Sequence, residues 1–154
     1  MASVELLLSP MPAHVRTARL VAVAAARRAG LDGVALDEVR LAVGEACARA
    51  VALHTRHALD VPVRVTLDAD PTGLAVAVAD AGPAAAPPSQ DSDLSDSAGD
   101  PAVFDDDVVD PDVSLAVLIG LFDDVRVESA ETGTTVTLRW PLPPGSGPRS
   151  TVLA

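Results

Sequence analysis

A glutamate and an arginine four residues apart, Glu45 and Arg49, stand inside an alanine-rich stretch, Leu36–His57 (LDEVRLAVGEACARAVALHTRH). A carboxylate in that setting can act as a general base, provided that no paired cation keeps its pKa low and makes it a poor one. Arg49 is positioned to be that cation, since residues four apart on a helix are neighbours; an exposed pair of this kind contributes about 0.3–0.5 kcal/mol. The same guanidinium can instead clamp a phosphate through its fork of donors. A second carboxylate, Asp80, ends an apolar run (LAVAVAD) and is followed by Gly82, an Asp-x-Gly at the place where a strand gives way to a loop. The nine aspartates between Gly82 and Asp112 invite a calcium reading. Asp91, Asp93 and Ser95 do mimic the first positions of an EF-hand loop, but Asp96 replaces its glycine and Ala102 its final glutamate.

The elements that must hold these groups follow from periodicity. Leu36, Val39, Val43, Cys47, Ala50 and His54 recur close to every 3.6 residues, which predicts a helix with one buried face. Before it, Val4–Ser9 predicts a strand and His14–Ala29 a helix stopped by Gly30. After it, Val63, Val65 and Leu67 alternate with polar residues, Asp70–Gly73 reads as a turn, and Leu74–Asp80 as a more buried strand. Residues 83–112 read as an acidic, disordered lid, because they are rich in Pro, Ala, Ser and Asp and carry no basic residue. Val113–Phe122 then predicts a short helix, and Asp124–Ser129 with Thr134–Trp140 a hairpin. The order predicts one domain over residues 1–141, an α/β two-layer sandwich whose mixed, mainly antiparallel sheet is covered by helices on one face, with a flexible tail over 142–154.

Composition narrows the function classes. A net charge of −11 leaves nothing to neutralise phosphates or headgroups, which argues against general nucleic-acid or anionic-membrane binding and is compatible with a basic protein partner. Every basic side chain is arginine. Cys47 is the single cysteine, so no intrachain disulfide can form. No apolar run is long enough for a membrane span and no leader pattern opens the chain, so the expectation is a cytoplasmic protein.

Three local sequences, in order, carry a resemblance. GEACARAV (44–51) resembles the N-box helix of the histidine-kinase-like ATPases, in particular the small bacterial anti-sigma factor/serine kinases, where the pattern is Glu-Ala-x-x-Asn-Ala. ADAGP (79–83) resembles their first glycine box, and FDDVRVES with GTTVTLRW their closing hairpin. The resemblance implies a Bergerat-type sandwich with ATP between sheet and lid. It implies Glu45 as the base that deprotonates a serine of an antagonist protein, and Asp80, with Gly82 beside it, as the ligand of the adenine amino group. Thr135 would be a neighbouring contact from the last strand, and position 49 the holder of Mg²⁺.

The chain departs from that pattern at two places. Arg49 stands where the family has its metal-binding asparagine, and a guanidinium has five donors and no acceptor for a Mg²⁺ ion. The family's phosphate-wrapping glycines fall on Pro111, Asp112 and Ser114. Pro111 has no N–H to offer, and a carboxylate about 4 Å from a phosphate costs roughly 4 kcal/mol at an effective dielectric near 20. The expectation is a degenerate kinase, no metal site, and ATP or ADP bound weakly or not at all. It would act as an anti-sigma-factor-like partner-switching regulator that binds a sigma factor or a STAS-type antagonist, with a homodimer possible through the first strand and first helix. The alternative is an active serine/threonine kinase with Glu45 as base and Arg49 as phosphate clamp.

Overall fold

Five strands and three helices make up the computed structural model, which describes residues 2–83 and 110–144. In chain order they are β1 (Ala2–Leu8), α1 (Pro12–Ala29), α2 (Gly33–Arg56), β2 (Val63–Asp70), β3 (Gly73–Ala79), α3 (Pro111–Leu121), β4 (Val125–Ala130) and β5 (Gly133–Pro141). The strands form one sheet in the order β1-β2-β3-β5-β4, and every pairing among the described residues is antiparallel, in keeping with the mainly antiparallel sheet that the sequence predicts.

Local chemistry explains the pairings. Two-residue turns join β2 to β3 and β4 to β5, with Asp70 opposite Gly73 and Ala130 opposite Gly133. In the first turn the Asp70 carboxylate accepts from the Thr72 N–H (2.7 Å) and hydroxyl, which lowers the carboxyl pKa below its ordinary value. Gly73 and Gly133 both carry positive φ, 151° and 142°, conformations that a side chain would strain.

Alternation then fixes the buried face. Val63, Val65 and Leu67 on β2, Leu74, Val76 and Val78 on β3, and Val136, Leu138 and Trp140 on β5 all turn inward toward α1 and α2. Helices α1 and α2 pack against each other, and both bury small residues, Ala18, Ala22 and Ala26 on α1 and Ala42, Ala46 and Ala50 on α2, which permit close packing. Gly30, left-handed at φ 103°, ends α1 with its N–H on the Arg27 carbonyl (3.1 Å).

Several boundaries move. Helix α2 begins three residues before the predicted Leu36, with Asp32 in extended backbone at its N-cap. Helix α3 begins at Pro111 rather than Val113, so Asp110, Pro111 and Asp112, read from sequence as lid, form its cap and first turn. The rest of the expected lid, 84–109, and the tail from 145 onward lie outside the described residues. The start of that tail is tied down, since the Leu142 N–H donates to the Thr72 carbonyl at 2.8 Å. No described helix is long and apolar enough to cross a membrane.

Candidate functional site

The inner face of α2 carries two polar side chains among its alanines and valines, Arg49 (2% exposed) and His54 (0%). Both reach the segment that follows β3. The Arg49 Nη1 donates to Asp80 Oδ2 at 2.7 Å, an ion pair whose side chains are almost wholly removed from solvent. The other carboxylate oxygen, Oδ1, accepts from the Gly82 N–H (3.0 Å) and the Thr134 N–H (3.3 Å). The Asp80 N–H in turn donates to the Thr134 carbonyl at 2.9 Å. One residue on, the Ala81 N–H donates to His54 Nε2 at 2.9 Å, while His54 Nδ1–H donates to the Val61 carbonyl at 2.9 Å. Those two partners fix a neutral imidazole with its proton on Nδ1.

Arg49 therefore does not pair with Glu45, as the spacing of four suggests, but with a carboxylate 31 residues away. The reason is burial: Arg49 lies on the sheet-facing side of α2, where only a desolvated partner compensates its charge. Glu45 is half-buried and makes no ion pair among the described residues. The guanidinium is not fully satisfied, since its Nε is buried without a hydrogen-bond partner.

From β5, the contact to Asp80 comes from Thr134, buried at the start of the inward-facing row, and not from Thr135. Thr135 falls on the alternate, half-buried row of the strand. Space around the carboxylate is tight. A Cβ on Gly133 would overlap the Asp80 carbonyl, and one on Gly82 would press on Leu53 at 3.3 Å. Cys47, on the same helix, is buried, and desolvation pushes its thiol up to about 12, with Arg19 acting in the opposite direction. That is a structural cysteine, protonated and inert.

The residues expected to face phosphate are also engaged. Asp110 caps α3, its Oδ1 accepting from the Asp112 N–H at 2.9 Å, and Pro111 and Ser114 are buried. A Mg²⁺ ion does not fit position 49, which offers only donors and is already committed to Asp80. At Asp80, the residue to which the resemblance assigns adenine, Oδ1 accepts two hydrogen bonds and Oδ2 one, from Arg49. An open hollow of about 640 Å³ lies elsewhere, lined by Asp70, Thr72, Arg139 and Trp140 among others, and contains none of these groups.

Thr134 and His54 were not among the sequence candidates. His54 carried a readable signal, since a histidine in the apolar stripe of a helix requires a polar partner inside. Thr134 contributes only backbone groups to Asp80, which no residue type announces.

Compared with known families, the chain matches a model described as a histidine kinase-like ATPase domain over residues 8–140. Compared with curated proteins, it has no match.

Proposed function

The chain belongs to the histidine kinase-like ATPase domain family, and from that premise we propose that it is an anti-sigma-factor-like partner-switching regulator that acts by protein–protein binding, with Mg-ATP binding and kinase chemistry weakened or lost. The buried Arg49–Asp80 pair carries this reading, because it commits the two side chains that the resemblance assigns to metal and adenine to each other. The partners would be a sigma factor, a STAS-type antagonist, or both. Exposed arginines on α1 (Arg16, Arg19, Arg27 and Arg28) suit an acidic antagonist, and the surface of β1 and α1 would also serve a homodimer.

One observation favours the alternative of an active serine/threonine kinase: among the described residues Glu45 makes no ion pair, so its carboxylate is not committed to a cation. A single assay separates the two. The protein is mixed with Mg-ATP and a STAS-type antagonist from its own genome, and both complex formation and serine phosphate are measured. A complex that forms without nucleotide and without phosphate supports the regulator. Serine phosphate that disappears in Glu45→Ala establishes the kinase.

A further inference from the structure

Helices α1 and α2 cover the inward face of the sheet, and no residue of its outer rows is buried. The centre of that outer face is small, Ala75, Ala77 and Ala79 on β3 flanked by Thr66, Thr135 and Thr137. Charges stand around it in register. In the row through Ala77, Glu5 lies at the β1 edge and Arg126 at the β4 edge. In the row through Ala75, Asp68 lies on β2 and Arg139 on β5, and in the row through Ala79, Arg64 lies on β2 and Glu128 on β4. Three carboxylates and three arginines therefore balance within these rows, although the chain as a whole carries −11. Two chains of that charge repel each other, and a neutral face is where they repel least.

The signs also match a copy of themselves. Take two sheets packed face to face about a two-fold axis that runs along β3. The operation keeps each row and reverses the strand order, so β1 lies over β4 and β2 over β5. Glu5 then meets Arg126 of the second copy, and Asp68 meets its Arg139, each contact made twice, with alanine on alanine at the centre. An axis across the strands would instead stack Glu5 on Glu5 and Arg126 on Arg126. Tilting the first axis about 15° from the strands gives the angle of about 30° at which aligned sheets pack. The side chains are free to make these contacts. Glu5 meets Arg64 at 3.7 Å and Arg126 meets Glu128 at 3.3 Å only as exposed pairs, and Asp68 and Arg139 have no ion-pair partner among the described residues.

We propose that the outer sheet face binds a second copy of this chain through this two-fold arrangement. That moves the homodimer contact from β1 and α1 to the whole open face. It rests on strand register and charge, not on a sigma factor or antagonist, so either reading can fail without the other. Five strands at about 4.8 Å, with about five residues along each, give a face of roughly 24 by 17 Å. An interface of that size belongs to the small, reversible class.

Sedimentation equilibrium of the full chain between about 10 μM and 1 mM tests the proposal. The wild-type mass should rise from one chain toward two. Asp68→Arg and Arg139→Asp each put two like-charge contacts into the dimer and should weaken self-association at least about tenfold. Mixed in equal amounts, these two variants should associate with each other about as well as the wild type does with itself, because every contact between the two positions is again of opposite sign. That recovery also shows that both variants are folded. A wild type that stays monomeric throughout overturns the proposal, and so do single variants that self-associate like the wild type or fail to recover on mixing. A dimer that survives both sheet variants and is lost in Leu20→Asp, on the exposed side of α1, returns the contact to β1 and α1 and overturns it as well.

Discussion

Cys47 is the only side chain that titrates between about pH 9 and 12, because the sequence has no tyrosine and its eleven basic residues are all arginine. Burial carries the thiol from 9.0 to about 12 in the folded protein. Below pH 9 both folded and unfolded chains keep the proton, so stability is unaffected. Above pH 9 the unfolded chain releases it and the folded one does not, so stability falls as pH rises, by about 1.4 kcal/mol per pH unit and about 4 kcal/mol across the window. Urea melts at pH 7.5 and 10.5 should show the loss in the wild type and not in Cys47→Ala; an equal loss in both refutes the assignment. The Arg49–Asp80 pair yields a second prediction at this scale. Arg49→Ala strands a buried carboxylate and should cost about 3–5 kcal/mol, whereas Arg49→Met with Asp80→Asn replaces both charges by neutral shapes and should cost clearly less. Strict additivity of the single effects in denaturant melts would count against coupling.

Glycines test the elements. Gly133 opens β5 at φ 142°, and a methyl group there would overlap the Asp80 carbonyl, so Gly133→Ala should destabilise by more than about 1 kcal/mol. Gly44 lies inside α2, and the nearest atoms that a methyl there would meet belong to the far end of the exposed Arg19 side chain, which can swing away. Gly44→Ala should therefore be neutral or stabilise by up to about 1 kcal/mol through helix propensity; in thermal melts the midpoint should fall for Gly133→Ala and hold or rise for Gly44→Ala. The elements themselves were legible because alternation and helical period are local: Val63-Val65-Leu67 and Val39-Val43-Cys47 announce their faces within one strand or a little over two helical turns. The aspartate-rich approach to α3 misled for an equally local reason, since Asp110-Pro111-Asp112 is both loop composition and a cap followed by proline at the first helical position. The site was not legible. The Arg49–Asp80 bond spans 31 residues, and Thr134 differs from Thr135 only by strand parity, which pattern sets but residue type does not. Sequence supplied Asp80 and Arg49 as candidates; only packing showed that they are each other's partners.

At the scale of the molecule, the helices cover one face of an antiparallel sheet whose two hairpins, β2–β3 and β4–β5, close over two-residue turns, while the β3–β5 seam joins them at its centre. Ala79 pairs with Thr135 across that seam, and Asp80 is bonded to a residue 54 positions later. Hairpins form from near neighbours in microseconds, but such a seam must first close a long loop. The pairing of Asp80 with Thr134 therefore belongs to the late, downhill side of folding. Asp80→Asn should raise the unfolding rate and leave the refolding rate nearly unchanged in stopped-flow chevrons, and a matching drop in refolding would place the seam in the nucleus. Vectorial synthesis sharpens the point. A nascent chain emerging from the ribosome can fold its first two helices and β2–β3 ribbon long before Thr134 is translated, so during that interval Asp80 has Arg49 as a potential partner but no β5 to seal it.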